Sequence, residues 1–319
     1  MGGELKMQKK ATRDAYGQAL VELGRKYDNI VVLDADLSKS TKTEHFAKEF
    51  PERFFQMGIA EQDMMATAAG LAFSGKVAFA STFAIFATGR AFEQIRNSIC
   101  YPAVSVKICA THAGLTVGED GGSHQSVEDI AIMRAVPNMT VIVPADGVST
   151  EKALTAIYEH EGPVYLRLGR PAVPVIYDED YEFKIGKATK LKEGQDAAII
   201  ATGIMVSLAI DAARMLKEEG LSVQVWDMST IKPLDIEAVK IAAKTGAIVT
   251  AEEHSVIGGL GGAVAEALAK NSPCHMGFVG VEDTFGESGT PAELMEKYNL
   301  TAESIKSKVR ETISKKSSC

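Results

Sequence analysis

Apolar positions along this chain arrive in short β-branched runs, and between the runs they recur every three or four residues. The runs Ile30–Leu33, Val77–Ser81, Ala103–Ala110, Thr140–Val143 and Val164–Leu168 read as strands. The stretches Ala11–Lys26, Glu61–Ala72, Ala84–Ser98, Val127–Arg134 and Gly147–His160 read as helices. Continuous apolar strands separated by helices predict parallel βαβ units, with strands covered on both faces. The pattern breaks at Gly169–Glu193, where prolines, mixed charge and the lack of any sustained period predict a linker. A second series follows. Strands Ala197–Ala201, Ser222–Trp226, Ala247–Thr250 and Gly277–Val281 alternate with helices Met205–Glu219, Asp235–Lys244 and Gly262–Lys270. The expected fold class is therefore α/β: a larger, mostly parallel open sheet domain over 8–175, then a smaller open α/β domain over 190–319. The tail Lys306–Cys319 reads as a polar helix that frays.

Length and composition change this picture little. The 319 residues suffice for two domains with their own cores, and 46% hydrophobic with 24% charged residues is ordinary for a globular protein. The net charge of -8 argues against nucleic acid or an anionic membrane as main partner. The polar opening MGGELKMQKKATRD is unlike a signal peptide, and no apolar run reaches bilayer-spanning length. Four dispersed cysteines, Cys100, Cys109, Cys274 and Cys319, form no CxxC pair and read as free thiols in a reducing cytoplasm. The expected location is cytoplasmic.

Four runs carry candidate chemistry. In Met57–Ala72 a small-residue loop leads into a helix opened by Glu61. A first-turn carboxylate is favoured there by the helix dipole alone; the functional alternative is a buried acid facing a ligand ring. Phe83 and Phe86, three apart after a buried strand, are core packing or a stacking platform at a strand's carboxyl end. The run from Thr111 to Ser126 holds His112, Glu119, Asp120 and His124 among four glycines, a density of titratable groups that a structural loop does not need. A metal held by His112 and His124 is the competing reading, but the spacing fits no common ligand motif. Finally, Arg167 ends a strand and Arg170 follows it, either as a phosphate clamp or as solvated ion pairs. The Gly-rich stretch Ile257–Gly262 precedes a helix and has an anion-loop look, yet lacks the Lys and Ser/Thr of a P-loop. It reads as a close-packing loop.

Together these runs resemble the C-terminal section of transketolase, from about Lys10 to Val281. GEDGGSHQ at 118–125 is close to that family's GEDGPTHQ, with Gly122 and Ser123 replacing Pro and Thr. GIAEQ at 58–62 and TFAIF at 82–86 match its pyrimidine-binding segments, and ADL at 35–37 with Ser40 matches its substrate channel. The resemblance implies a thiamine-diphosphate (pyrimidine) domain followed by a transketolase C-terminal-like domain. It implies that Glu61 contacts N1′ of the cofactor's aminopyrimidine, with Phe83, Phe86, Ile59 and Asp36 around the cofactor. Gly89 stands where the family often has tyrosine. His112, Asp120 and His124 would line the sugar channel, His112 and His124 moving protons. Ser40, Arg167 and Arg170 would take the substrate phosphate.

The resemblance also implies an activity: transfer of a two-carbon ketol unit from a ketose phosphate to an aldose phosphate, in carbohydrate metabolism of the pentose phosphate kind. The family's GDG…N motif, which holds Mg²⁺ (or Ca²⁺) and the diphosphate, has no counterpart here. The expectation is a split enzyme, a heterodimer or α2β2 heterotetramer, whose N-terminal subunit carries that site and the metal ligands. No metal ligand is expected on this chain. The nearest rival is the β subunit of a 2-oxoacid dehydrogenase E1 component, whose histidine loop lacks GEDG. A deoxyxylulose-phosphate synthase fragment and a non-catalytic assembly subunit are the remaining alternatives.

Overall fold

The computed structural model describes residues 8–316, so Cys319 and the last three residues of the predicted tail lie outside the described residues. In chain order, strand β1 (Lys9–Ala11) leads into helix α1 (Thr12–Lys26) and strand β2 (Ile30–Asp34). Two short helices, α2 (Ser38–Thr41) and α3 (Glu44–Glu49), precede β3 (Phe54–Gln56), α4 (Glu61–Phe73) and β4 (Val77–Phe83). An irregular helical run follows, with π turns over Phe86–Arg90 and Ile95–Cys100 around a short α5 (Phe92–Gln94). The first unit continues through β5 (Val106–Thr111), α6 (Asp129–Ala135), β6 (Thr140–Ile142), α7 (Gly147–Glu159), β7 (Val164–Arg167) and β8 (Ala172–Pro174). Then come β9 (Thr189–Lys192), β10 (Ala197–Ala201), α8 (Met205–Glu218), β11 (Val223–Asp227), β12 (Thr230–Lys232) and α9 (Ile236–Ala243). The chain closes with β13 (Ala247–Ser255), α10 (Leu260–Asn271), β14 (His275–Val281), α11 (Pro291–Lys297) and α12 (Ala302–Lys316).

The larger sheet has the order β12-β6-β7-β5-β4-β2-β3 and is parallel except for β12. Its central strands are buried along almost their whole length, because helices cover both faces. α1 and α7 lie together on one face over Tyr16, Leu20, Leu154 and Ile157. α4 and the π-helical run cover the other through Met64, Met65, Ile95 and Ile99. The smaller sheet has the order β14-β13-β10-β11-β9, parallel except for β9. One apolar core runs from Met64 and Ile108 through Met133 and Ile231 to Leu260 and Val264, so the two domains share a packed interior.

Several expectations need correction. The stretch predicted as a linker contains β8, which pairs antiparallel with β1 (Lys10 opposite Val173), and at its end β9. β12 comes from the second half of the chain but adds to the first sheet beside β6. Three-residue strands carry no apolar period of their own, which hides them from pattern reading. The predicted helix Ala84–Ser98 is largely π-helical, and the strand predicted from Ala103 begins at Val106. The tail does not fray within the described residues: α12 seats Ile305, Val309 and Thr312 against β14, β13 and α8.

Ile305 and Val309 are wholly buried. Ile305→Ala is therefore expected to cost about 2–5 kcal/mol of stability, read by chemical denaturation. A loss below about 0.5 kcal/mol, the scale of a surface change, would mean that α12 is not docked.

Candidate active site

In a parallel sheet the carboxyl ends of the strands share one edge, and that is where such folds keep their ligands. β2, β4, β5 and β7 end at Asp34, Phe83, Thr111 and Arg167, which brings four of the singled-out segments to one edge.

The loop after β2 is pinned by Asp34. Its buried carboxylate accepts hydrogen bonds from the Leu37 N–H (2.7 Å), Thr41 Oγ1 (2.6 Å) and Thr43 Oγ1 (2.8 Å). Burial nevertheless pushes its pKa up. The loop holds Asp36 exposed, with φ 63, its N–H donating to Gln56 Oε1 at 2.7 Å. Ser40 lies on α2, and its carbonyl accepts a bond from Arg13 Nη1 at 3.2 Å. After β3, Gly58 turns the chain with φ 69, Ile59 stands 77% exposed, and α4 opens with Glu61 at 1% exposed. Both Glu61 carboxylate oxygens lie 3.0 Å from Arg90 Nη1.

Phe83 is the last residue of β4 and Phe86 opens a π turn, so they do not share an α-helical face. Their rings are still parallel, 5.8 Å apart and 10° inclined. Phe83 also stacks on His112 at 3.9 Å, and Phe86 meets the edge of His124 at 5.5 Å. The structure thus brings Phe83, Phe86, His112 and His124 into one cluster.

His112 is mostly buried, with φ 55. Arginine only donates, so Arg13 Nη1, 3.1 Å away, makes His112 Nε2 an acceptor. The proton then sits on Nδ1 and is donated to Thr111 Oγ1 at 2.9 Å. Burial, and then the charges of Arg13 and Arg170, push the His112 pKa down to about 3. His112 is a neutral imidazole at physiological pH and does not serve as an imidazolium acid there. His124 is half-buried, with Nδ1 3.0 Å from Ser123 Oγ, and Asp120 is exposed.

The second domain braces this loop. Glu253 of β13 accepts the Thr116 N–H at 2.7 Å, and a Cβ on Gly114 (φ 79) would lie 2.3 Å from that carboxylate. A Cβ on Gly122 would come within 2.6 Å of the Gly286 carbonyl. Gln125 Nε2 donates to Leu115, Gly118 and Glu287 carbonyls at 3.1, 3.3 and 2.9 Å. Arg170 holds the loop from the other side, through Nη1 to the Val117 carbonyl and to Glu119 at 3.3 Å, with Asp120 4.0 Å away.

Arg167 requires a correction. It is 6% exposed and committed: Nε donates to Asp129 Oδ2 (2.7 Å), and Nη2 to Asp129 Oδ1 (3.2 Å), the Ser126 carbonyl (3.3 Å) and the Glu253 carbonyl (2.9 Å). Burial opposes its charge, but Asp129 outweighs burial and raises its pKa. Arg167 is a buried clip between the domains, not a phosphate ligand. The residue that pattern reading missed is Arg13. It bridges Ser40 and His112, and its Nε is buried without a partner. Its signal was present: a cation in the first turn of α1, where the helix dipole disfavours one. Arg13, Lys42 and Arg170 all act on His112 electrostatically, making this edge locally positive.

The Gly-rich stretch before α10 is filled from within. Glu252 accepts the Leu260 and Gly261 N–H groups at 2.7 and 2.8 Å, so the helix start holds the chain's own carboxylate. Burial pushes the thiols of Cys100 and Cys109 up to about 12, which makes them inert. Among the described residues no group of three or more His, Cys, Asp or Glu side chains converges to hold a metal, and no helix is long and apolar enough to cross a membrane.

Two family models match the chain. Residues 8–175 match the family described as transketolase, pyrimidine binding domain, and residues 186–305 match transketolase, C-terminal domain. A Methanocaldococcus jannaschii protein named as a transketolase C-terminal section is 53% identical, covering 96% of this chain and 97% of its own. A Clostridium protein named 6-deoxy-6-sulfo-D-fructose transketolase subunit SqwH is 45% identical over 95% of this chain and 94% of its own. A solved structure described as a split gene transketolase, inactive β4 tetramer, superposes with TM-score 0.90 at 57% identity, covering 95% of this chain and 98% of that one.

The His112 assignment generates a test. Nitrogen-detected imidazole NMR is expected to show one histidine as the neutral Nδ1–H tautomer, unchanged from pH 8 to pH 5, and lost in His112→Gln. Titration of that ring near pH 6.5 would overturn the hydrogen-bond assignment.

Proposed function

The chain belongs to the transketolase family, and from that premise we propose that it is the C-terminal subunit of a split thiamine-diphosphate transketolase, working in the cytoplasm with an N-terminal subunit. The observation that carries the reading is Glu61: a buried carboxylate at a helix start, beside the aromatic pair Phe83 and Phe86 at the sheet's carboxyl edge. Those residues fit one end of a flat heteroaromatic ring that needs a carboxyl partner for a ring nitrogen, with Ile59 and Asp36 nearby on the same rim. Thiamine diphosphate, when bound, supplies the nucleophilic carbon that carries the two-carbon unit. Glu61 holds the proton at N1′ of the pyrimidine. Phe83 and Phe86 exclude water from one face of the ring.

The sugar side is cationic. Arg13 and Arg170, with Ser40 and Lys42 beside them, form an edge suited to the anionic end of a ketose or aldose phosphate. The Clostridium relative is likewise named for a sugar with an anionic tail, a 6-sulfo sugar. His124 and Asp120, on the loop rim, are placed to meet sugar hydroxyls, and neutral His112, whose one N–H goes to Thr111, accepts from Arg13 and so positions that guanidinium at the anionic end of the sugar. The diphosphate and its Mg²⁺ or Ca²⁺ are assigned to the N-terminal subunit. The outward face of α4 supports such a partner: Ala66, Gly70 and Phe73 are exposed along one side of the helix that Glu61 opens. The solved relative is described as a split gene transketolase in an inactive β4 tetramer, in keeping with a subunit that needs a different partner to act.

Reconstitution tests the reading. Mixed with an N-terminal transketolase subunit, the chain is expected to turn over xylulose 5-phosphate with ribose 5-phosphate and not pyruvate. Glu61→Ala should lose about 10²–10⁴-fold of that rate while still co-eluting with its partner. Near-normal turnover by Glu61→Ala, or turnover by the lone wild-type chain, would overturn the assignment.

A further inference from the structure

The guanidinium of Arg90 stands where the proposed function needs an aminopyrimidine. Its Nη1 lies 3.0 Å from both carboxylate oxygens of Glu61, and its Cζ lies 4.5 Å from the centre of the Phe86 ring. A planar cation with in-plane N–H groups, stacked on an aromatic face and donating to a carboxylate, makes the same two kinds of contact as a protonated aminopyrimidine ring. Both cannot be there at once.

We propose that Arg90 is a latch: in the free chain it occupies the pyrimidine position and pairs with Glu61, and it swings out when the cofactor ring enters. The inference rests on the thiamine-diphosphate reading above. The backbone is built to hold still while the side chain moves. The Arg90 carbonyl is tied to Gln62 Nε2 on α4 at 3.1 Å, and Thr88 Oγ1 is bonded to the Ala84 carbonyl at 2.8 Å. The side chain itself is 49% exposed, whereas Glu61 is 1% exposed, so the guanidinium has water on its outer side to move into. It projects from the last position of a π turn, the type of irregular helix turn that recurs at functional sites. Next to it, Gly89 leaves open space, with nothing nearer to a built Cβ than Ile85 Cδ1 at 4.0 Å.

The physical need is plain. A carboxylate this buried is costly without a donor or a countercharge. Arg90 meets that need while the cofactor is absent, and the consequence is competition, because apparent affinity falls by the fraction of molecules in which the site is open.

Thiamine diphosphate with Mg²⁺ is titrated calorimetrically into the reconstituted two-subunit complex, using wild type, Arg90→Ala and Arg90→Gln. The second variant keeps a polar side chain in case the first folds poorly. The latch predicts about tenfold tighter binding for the variants, as for a site open in one molecule in ten. In thermal unfolding of the chain alone, Arg90→Gln should lower Tm, and the loss should vanish in a Glu61→Gln background. Equal affinity overturns the latch, and so does a Tm loss that persists in that background. Weaker binding also overturns it and makes Arg90 a cofactor contact instead. No binding by wild type overturns the cofactor reading and the latch with it.

Discussion

The buried pair of Arg167 and Asp129 is the constraint on which the site depends. One guanidinium reaches α6 through Asp129, the end of the histidine loop through the Ser126 carbonyl, and the second domain through the Glu253 carbonyl. Tyr165 adds its hydroxyl to Asp129 at 2.7 Å. Removing one partner of such a pair leaves a bare charge in the interior, which costs about 3–5 kcal/mol. The pair is therefore a strong registration device: only one docking of the second domain satisfies all its donors. That docking places Glu253 under Thr116 and the 286–288 segment against Gly122, which holds a glycine-rich loop in one shape. The second domain bears on the candidate site by fixing the loop that carries His112 and His124.

Charge works locally here, not globally. The whole chain is net negative, yet burial first, and then the charges of Arg13, Arg170 and Lys42, favour the neutral His112 imidazole. A neutral ring that must accept from Arg13 has only one proton, on Nδ1. The division between the two histidines follows from packing. His112, stacked on Phe83 and desolvated, is fixed in one tautomer, while His124 sits half-exposed at the rim. Overall charge carries no information about this cationic edge.

The alternation of strands and helices was readable because parallel strands buried on both faces are continuous apolar runs, and the strand-end segments holding Phe83, Phe86, His112 and His124 followed from it, whereas β3, the short exposed strand before Glu61, did not. Arg167 was misread for a physical reason. A strand-end arginine looks the same whether its partner is a ligand or Asp129, 38 residues earlier in the chain, and the Glu253 carbonyl is 86 residues away. Sequence carries no trace of which long-range partner wins. Arg13 offered a local anomaly, a cation at a helix start, that could have been weighed. β12 and β8 are three residues each, too short to show a period. The tail misled because its mean polarity is high although Ile305, Val309 and Thr312 fall on one buried stripe.

A half-site has a stability problem that a whole site lacks. On the proposed function, Glu61 is buried at the start of α4 to meet a ring that another polypeptide helps to hold. Before that ring arrives, the helix dipole alone offers only a fraction of a charge's worth of compensation. The neighbouring π turn brings Arg90 back over Phe86 and onto Glu61, closing the electrostatic gap within one chain. Under the proposed latch, the contact that compensates the buried Glu61 carboxylate also sets a threshold that the cofactor must exceed. If Arg90 is the latch proposed above, a divided active site couples subunit stability to cofactor affinity through a single side chain.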